Sequence, residues 1–402
     1  MKNIIVQKYG GSSVATIEKI KKVSEKIRKR VEKNEKIVVV VSAMGKTTNE
    51  LISLSKQICN EPEPRELDMI LSTGEQVSAA LLSMAINCND IKAISYNAFQ
   101  LQIYTTNIHS SAKILDINSD KIHKALNSYD VVVVTGFQGI DEMGNITTLG
   151  RGGSDTSAVA LAAKLGAKCE IYSDFPGIYT CDPRFHKDAK KLDYITYDEM
   201  LELSALGANV LHSRAVEIAK KYSLELYCAS TFSEEGGTFI VENLPEWLEQ
   251  PVVTGVTMDN NQTKITIYNV PNKSGIFARI YDSLAKKRIN VDMISIVYDE
   301  KVAHLTFSVI SGNREKIKSI IKEELKSEKN LEFNFDSNVS KISAVGVGMK
   351  SSSGVASRFF SALDKKGIKI LATTTSEIKM SALVSKENSG TALKELIDEF
   401  DL

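Results

Sequence analysis

The 402-residue chain has few cysteines and no excess of charge of either sign. Lys+Arg and Asp+Glu number 50 each, so no overall field favours nucleic acid or an anionic membrane, and a small-molecule ligand is expected. The five cysteines include no CxxC pair and no metal-site spacing, which predicts reduced thiols in a cytoplasmic protein. They are Cys59, Cys88, Cys169, Cys181 and Cys228.

Long apolar runs and several catalytic motifs are also missing. The apolar run at residues 4–6 is too short for a signal peptide or a membrane span, and no later run is long enough, so no membrane partner is expected. HExxH, GxSxG and the Walker motif are absent, which disfavours protease and esterase chemistry. The histidines lack ligand spacing, so we expect them to be structural or exposed and assign no metal to protein side chains. They are His109, His123, His186, His212 and His304.

The first 250 residues alternate short β-branched runs with helical patterns. Residues 4–6, 37–41, 131–135 and 170–172 are typical of buried strands. With 43% hydrophobic residues, the chain is expected to form two or three domains, the first a three-layer α/β/α fold around a mostly parallel sheet. Glycine and polar clusters follow three of these strands, at the carboxyl ends where such sheets bind ligands.

One glycine-rich turn, residues 148–157, precedes a helix-like run. Its glycines let backbone N–H groups approach an anion, and the helix N-terminus favours negative charge. Arg151 suits a carboxylate or a phosphate. Asp155 is an acid in this anion site, which indicates a substrate amine, a metal, or a lysine that the acid orients.

Lys8 ends the first strand and precedes Gly10 and Gly11, so its ammonium group could reach the same anion. The alternative is a surface lysine that caps a turn. Thr48 and Glu75 could bind a polar substrate or belong to ordinary helix caps. Residues 173–184 could hold a nucleotide or could be plain turn chemistry.

An internal repeat closes the chain. Residues 264–270 match 341–347, and residues 284–287 match 363–366, at an offset of about 77 to 79 residues. In each copy a strand leads through a turn into a helix and then to an apolar strand such as residues 368–371. We interpret the copies as small ferredoxin-like α+β binding modules, whose exposed sheet edges could pair with another copy.

These motifs together resemble aspartate kinases of the amino acid kinase superfamily. The resemblance rests on residues 8–14, 42–45, 74–75, 136–137, 148–155 and 174–184 and covers nearly the whole chain in order. It implies an amino acid kinase (carbamate kinase-like) domain at 1–250 and two regulatory ACT domains at 260–332 and 339–402. Residues 349–351 and 375–378 match the second ACT domain.

The resemblance implies phosphorylation of the L-aspartate side-chain carboxylate by ATP with bound Mg²⁺. The product would be 4-phospho-L-aspartate, at the first step toward lysine, threonine and methionine. No covalent enzyme intermediate is expected, so positioning and charge stabilisation carry the catalysis. The implied catalytic residues are Lys8 and Asp155; the substrate-binding residues are Thr48, Glu75, Phe137, Arg151, Gly152, Ser154 and Asp155; the nucleotide-binding residues are Lys8, Tyr9, Gly10, Gly11, Ser173, Asp174, Tyr179 and Arg184.

Feedback inhibition by lysine, threonine or both is implied at the ACT domains, with lysine favoured, together with a homodimer or homotetramer formed through them. The implied effector-binding residues are Asn272, Gly275, Asn290, Asp292, Met349, Ser351, Val355, Thr375, Ser376 and Glu377.

Two positions depart from the family pattern. Asn209 replaces a lysine that lies near the nucleotide in relatives, and Ile296 with Val297 replaces the Gln-Asn pair common in relatives inhibited jointly by lysine and threonine. Two other functions remain open. One is another amino acid kinase, such as glutamate 5-kinase or acetylglutamate kinase, and the other is a catalytically silent amino-acid sensor.

Overall fold

A computed structural model describes residues 3–205, 211–249, 251–271, 275–287, 289–299, 302–326 and 331–402. The chain forms two compact units. The first comprises Met1–Tyr179 and Lys191–Leu248, and the second comprises Thr180–Lys190 and Glu249–Leu402. The units meet at Leu248 and Glu249, near the expected boundary, but Thr180–Lys190 groups with the second unit.

The first unit combines parallel strands with covering helices. Its strands are β1 (Ile4–Tyr9), β2 (Lys36–Val41), β3 (Ala93–Tyr96), β4 (Ile103–Thr105), β5 (Ile114–Ile117), β6 (Val131–Thr135), β7 (Gln138–Ile140), β8 (Ile146–Thr148), β9 (Lys168–Ser173), β10 (Tyr194–Thr196), β11 (Leu226–Ser230) and β12 (Thr238–Val241). Its helices are α1 (Ile17–Val31), α2 (Thr47–Ile58), α3 (Pro64–Leu71), α4 (Thr73–Asn87), α5 (Ala98–Leu101), α6 (Ser119–Ser128), α7 (Gly153–Leu165), α8 (Tyr197–Ala205) and α9 (Ser213–Lys221).

An eight-stranded sheet in the order β10-β12-β11-β9-β1-β2-β6-β3 forms the centre of this unit. Six neighbouring strands, from β11 to β3, run parallel, and the predicted strands all lie among them. Valines dominate β2 and β6 and are buried on both faces, as expected for a covered parallel sheet. Helices α1 and α4 pack on one face, and α7 packs against β1 and β2 on the other. The predicted three-layer fold is confirmed.

A smaller sheet in the order β5-β4-β7-β8 leads into the glycine turn, because β8 ends at Thr148 and α7 begins at Gly153. By length and composition alone, Pro64–Asn87 is apolar enough to cross a membrane. Half of its most apolar window is buried within the first unit, as is typical of a core helix.

The second unit contains a six-stranded sheet in the order β14-β15-β13-β16-β18-β17. Its strands are β13 (Gly255–Pro271), β14 (Asp292–Tyr298), β15 (Val302–Ile310), β16 (Glu332–Val345), β17 (Ala372–Thr375) and β18 (Lys379–Ser385). Its helices are α10 (Ile276–Lys286), α11 (Arg314–Glu324), α12 (Val355–Asp364) and α13 (Ser389–Phe400).

The predicted repeat is visible in this unit as two hydrophobic cores, one for each module. Gly275 and Gly354 occupy equivalent positions before α10 and α12, with φ angles of 88° and 85°. The modules share their two central strands. Gly255 to Asp259 of β13 pair with residues 341–345 of β16, which belong to the second module. The rest of β13 pairs with residues 332–339 of β16.

Residues 368–371, predicted as a strand of the second module, instead connect α12 to β17. The N–H of Ile368 donates to the carbonyl of Leu363, and Gly367 adopts a left-handed conformation with φ of 64°. Ile368 therefore belongs to the helix end, whereas the N–H of Leu371 donates to the carbonyl of Leu383 of β18 at 2.8 Å, next to the start of β17 at Ala372.

Thr180–Lys190 belongs to the second unit and contributes to its core. Cys181 packs in the hydrophobic core of the second module, and the N–H of Val256 donates to the carbonyl of Thr180 at 2.7 Å. Burial raises the pKa of Cys181 to about 12. Cys181 is therefore a buried thiol whose ionised form is disfavoured.

Candidate active site

Lys8, at the carboxyl end of β1, forms a buried ion pair with Asp155 in the first turn of α7. The Lys8 Nζ atom lies 2.6 Å from Asp155 Oδ1, and each side chain is 11% exposed. This burial excludes the alternative in which Lys8 caps a surface turn. A Cβ atom at Gly10 would lie 3.4 Å from Lys8 Nζ, so glycine leaves room for an anion beside the ammonium group.

Three glycines shape the turn before α7. Gly150 and Gly152 have φ angles of 77° and 68°, which other residues rarely adopt. A Cβ atom at Gly150 would lie 2.8 Å from the Ser110 carbonyl oxygen, and one at Gly153 would lie 2.8 Å from the Phe137 ring. The turn delivers the first N–H groups of α7, which have no partner within the helix, to the same place as Lys8.

A pocket of about 280 Å³ opens at this point, where the ends of several strands converge. It brings together residues from five separate stretches of the sequence, including all of the predicted catalytic and substrate-binding residues. Its lining residues are Lys8, Gly11, Ser42, Ala43, Gly45, Thr48, Glu75, Phe137, Gly150, Arg151, Gly152, Gly153, Ser154 and Asp155.

Glu75 is a buried carboxyl group at the pocket wall, 3% exposed. Its Oε1 atom accepts the N–H of Ala43 at 3.0 Å, whereas Oε2 has no hydrogen-bond partner among the described residues. Burial raises the pKa of Glu75 to about 7, and the hydrogen bond from Ala43 opposes this shift. The Oε2 atom of Glu75 is therefore available to accept a hydrogen bond from a cation that enters the pocket.

Phe137 holds an uncommon backbone conformation at the pocket, with φ of 69°. Its N–H donates to Ser157 Oγ at 3.1 Å, and its carbonyl accepts the N–H of Leu149 at 2.8 Å. A Cβ atom at the preceding Gly136 would lie 2.8 Å from Ser154 Cβ. The packing thus maintains a strained residue at the pocket wall, a feature that is common in active sites.

The pocket carries charges of both signs. Arg151 is exposed at its mouth and Lys8 lies deeper, while Asp155 and Glu75 supply acids. Such a site suits a small ligand that has an ammonium group and more than one anionic group.

The predicted nucleotide-binding residues divide into two groups. Gly10, Gly11, Ser173 and Asp174 lie at the carboxyl ends of β1 and β9, two neighbouring parallel strands, and Gly10 N–H donates to the Tyr172 carbonyl at 3.1 Å. Ser12 Oγ donates to Asp174 at 3.4 Å. These groups form a polar rim beside Lys8.

Tyr9 does not join this rim through its side chain, and Tyr179 and Arg184 have other contacts. Tyr9 is fully buried and stacks on Tyr172 at 5.1 Å, so its side chain cannot reach a nucleotide. Tyr179 forms an antiparallel bridge with Lys191 in the first unit. Arg184 lies in the segment that packs with the second unit, where it pairs with Asp182.

Several predicted effector residues gather in the second unit around a pocket of about 350 Å³. Lys350 and Glu377 form an ion pair of 3.0 Å there. Gly275, Asn290, Asp292 and Ser351 are not among the lining residues, and Asn272, like Asn209, lies outside the described residues. The lining residues are Met349, Lys350, Val355, Thr375, Ser376, Glu377 and Met380.

Asp292 has a partner within the chain. It pairs with Lys341, which is 5% exposed. Burial opposes ionisation, but the Lys341 ammonium group lowers the pKa of Asp292 below its usual value. This carboxylate therefore holds the chain's own cation, where the sequence predicted an effector.

Two charged residues near the glycine turn, one buried and one half-buried, were not predicted. Asp68 of α3 is fully buried and accepts hydrogen bonds from Thr148 and Ser110. Arg214 of α9 donates to the carbonyl oxygens of Leu149 and Ala112. Neither residue lies within a recognisable motif, and the sequence gives no sign that their partners are close in space.

Family models match both parts of the chain. A model described as the amino acid kinase family matches residues 3–230, and a model of an ACT domain matches residues 342–400. An aspartate kinase of Pseudomonas putida is 45% identical over 401 residues, which cover 99% of this chain and 98% of that protein. An aspartokinase of Bacillus sp. (strain MGA3) is 46% identical over 407 residues, with 99% and 97% covered.

Solved structures agree with this relationship. Aspartokinase III of E. coli, in complex with aspartate and ADP, has a TM-score of 0.84 and 23% identity over 100% of both chains, which supports the fold. The aspartate kinase from Synechocystis is 38% identical, with a TM-score of 0.56, over 99% of this chain and 69% of its own.

Proposed function

The chain belongs to the aspartate kinases of the amino acid kinase family, and we propose that the pocket around Lys8 transfers the γ-phosphoryl group of ATP to the side-chain carboxylate of L-aspartate. The observation that carries this assignment is the Lys8–Asp155 pair, which stands at a helix N-terminus in one pocket with Arg151 and Glu75. These groups match the charges of an amino acid with two carboxylates that meets a phosphate.

In the proposed reaction, a carboxylate oxygen of aspartate attacks the γ-phosphorus of ATP. A new P–O bond forms, the bond from the γ-phosphorus to the bridging oxygen breaks, and ADP leaves with that electron pair. Lys8 and the amides at Gly10 and Gly11 stabilise the charge on the transferred group, and Asp155 fixes the position of Lys8. Since no enzyme group becomes phosphorylated, placement and electrostatics supply the rate enhancement.

Different residues are assigned to the two ends of the aspartate substrate. Arg151 holds one carboxylate through its guanidinium fork. Glu75 and Asp155 face the ammonium group, and the free Oε2 atom of Glu75 supplies an acceptor. Thr48 and Ser154 add hydrogen bonds at the pocket wall, and Phe137 contributes to its shape.

Mg²⁺ is assigned to the phosphate oxygens of the nucleotide, and no protein side chain is proposed as its ligand. No group of three or more His, Cys, Asp or Glu residues suited to a metal occurs in the part of the chain that the structure describes. Mg²⁺ prefers this manner of binding, with few protein ligands. When bound, the ion neutralises phosphate charge; the protein's task is to orient the nucleotide along the rim that Ser173 and Asp174 form beside Gly10.

The second unit is assigned to feedback control by an amino acid, with lysine favoured. The Lys350–Glu377 pair offers a cation for the effector's carboxylate and an anion for its ammonium group. Binding would stabilise one of two states of the enzyme through its differential affinity for them.

A homodimer or homotetramer is the proposed assembly. The strands β14 and β17 end the sheet order of the second unit, and β14 exposes Ile294, Val297 and Tyr298. Light scattering at micromolar protein should show a dimer or tetramer, and a monomer would contradict the assignment. The cysteine pattern, without a disulfide framework, supports a cytoplasmic location.

The activity is tested by following ADP formation with L-aspartate, with L-glutamate and without an acceptor. Hydroxylamine in parallel reactions should trap an acyl phosphate as its hydroxamate. We expect ADP and hydroxamate to appear together and only with aspartate. Faster turnover with glutamate would indicate another amino acid kinase, and no acceptor-dependent ADP would favour an amino-acid sensor.

A further inference from the structure

Asp68 has an unusually complete set of hydrogen bonds for a buried carboxylate. Its Oδ2 atom accepts the N–H of Thr148 at 2.9 Å and contacts His109 Nδ1 at 2.9 Å, while Oδ1 accepts the Thr148 hydroxyl at 2.6 Å. The N–H of Ser110 donates to both oxygens, at 3.1 and 3.0 Å. A buried charge persists only with such compensation.

These bonds join two loops that meet at the glycine turn. Thr148 lies two residues before Gly150, and the Ser110 carbonyl fills the space that a Gly150 side chain would need. The N–H of Ala112 also donates to the Thr148 carbonyl at 2.9 Å. Asp68 therefore fixes both the chain that enters the turn and the surface on which the turn packs.

Arg214 of α9 forms hydrogen bonds to the same two loops. Its Nη1 atom donates to the Leu149 carbonyl at 3.0 Å, and Nη2 donates to the Ala112 carbonyl at 2.7 Å. Burial lowers the pKa of Arg214. The guanidinium group thus fixes backbone oxygens on both loops.

We propose that Asp68 and Arg214 are positioning residues that lock residues 148–150 and thereby direct Arg151 toward the substrate carboxylate. Neither side chain lines the pocket, so both act through the backbone of the turn. The inference rests on the proposed function, in which Arg151 binds aspartate. A displacement of about 1 Å in a binding group can cost on the order of 10²-fold in rate, so the constraint has a functional consequence.

Asp68→Asn is the most direct test. An amide in this position places an NH₂ group against a backbone N–H, whichever way it is oriented, because both oxygens accept from the backbone. We expect the KM for aspartate to rise about tenfold, with the KM for ATP and kcat within about twofold of the parent. Equal changes in both KM values would overturn the proposal.

Thr148→Val and Arg214→Lys keep the test decisive if Asp68→Asn does not fold. The first removes only the 2.6 Å hydroxyl bond, and the second retains the charge but loses the two-pronged geometry. Both should raise the aspartate KM selectively. An unchanged aspartate KM in both folded variants would refute the positioning role.

A double-mutant cycle with Arg151→Ala separates this proposal from the proposed function. If Asp68 acts through Arg151, Thr148→Val or Asp68→Asn should change the aspartate KM less than twofold in the Arg151→Ala background. Full additivity would overturn the inference while leaving Arg151 as a substrate ligand. An Arg151→Ala variant with a normal aspartate KM would instead contradict the proposed function itself.

Asp141→Asn provides a matched control. Asp141 is 1% exposed, follows β7 of the same small sheet, and accepts backbone N–H groups from Met143 and Asn145. Both N–H groups donate to Oδ1, which asparagine retains, so the substitution removes chiefly the bond from Asn145 Nδ2 to Oδ2. This loss should lower thermal stability without a selective change in the aspartate KM. A rise equal to that of Asp68→Asn would show that general loosening of the sheet, and not the turn, controls affinity.

Discussion

The ammonium nitrogen of Lys8 lies 2.6 Å from the Asp155 carboxylate, and the pair joins the end of β1 to the first turn of α7. Each residue fixes the other, and both side chains are largely buried. In the proposed function, the acid in the glycine turn therefore holds the lysine that meets the phosphate.

Lys8→Ala should reduce kcat by on the order of 10²-fold or more, because a positioned cation stabilises the charge that develops during phosphoryl transfer. Steady-state rates with saturating aspartate and ATP measure this. Lys164→Ala is the control, since Lys164 lies on α7 with Asp155 but forms an exposed ion pair with Asp116 of β5. A loss of only a few-fold in Lys8→Ala would contradict the catalytic assignment.

Glu75 should make both stability and aspartate affinity depend on pH. Its native pKa of about 7 lies above the ordinary glutamate value, so its contribution to the free energy of unfolding is complete below pH 4.5 and is lost as pH rises through 7. The loss should amount to about 3 kcal/mol. Glu75→Gln should therefore show a smaller fall in unfolding free energy between pH 5 and pH 8 in urea denaturation.

The same carboxylate should bind the aspartate ammonium group only when ionised. We expect the parent's aspartate KM to fall as pH rises through 7, and Glu75→Gln to lose that dependence. Glu66→Gln, at an exposed position of α3, is the control. An identical pH profile in the parent and Glu75→Gln would exclude Glu75 as the ammonium partner.

Gly150→Ala should impair aspartate binding more than Gly144→Ala. Both glycines have positive φ angles, of 77° and 81°, so each substitution strains the backbone by about 1 to 2 kcal/mol. Only Gly150 lacks room, because its Cβ would lie 2.8 Å from the Ser110 carbonyl oxygen, whereas a Cβ at Gly144 meets nothing within 4 Å. Aspartate KM values and melting temperatures of both variants test this; equal KM values would contradict it.

Glu377→Gln should raise the lysine concentration for half-maximal inhibition about tenfold, because it removes the anion proposed to face the effector's ammonium group. Its ion pair with Lys350 is exposed, so stability should change little. Glu387→Gln, on an exposed turn nearby in sequence, should leave inhibition unchanged. Unchanged inhibition in Glu377→Gln would exclude this pocket as the lysine site.

Deletion from residue 255 onward is a less informative test of regulation than these substitutions. It would remove Val256 and much of the core in which Cys181 is buried, and so expose apolar surface in the Thr180–Lys190 segment. Loss of inhibition in such a truncation would not be separable from damage to that segment.

The sequence by itself determined the local structure and the chemistry of the site. Runs such as Lys36–Val41 favour strands because β-branched side chains buried on both faces suit a parallel sheet. The turn at Gly150 and Gly152 could be recognised because positive φ angles strongly favour glycine. The repeat could also be recognised from the sequence, because its apolar spacing recurs in both modules.

Only the tertiary structure decided which of these groups act together. Tyr9 stands inside the lysine-glycine motif, yet its ring is buried against Tyr172. Asp68 lies in no motif, yet its partners at Ser110 and Thr148 are 42 and 80 residues away along the chain. Propensity and spacing describe short-range interactions, whereas the burial of a side chain and the partners of a buried charge depend on long-range packing.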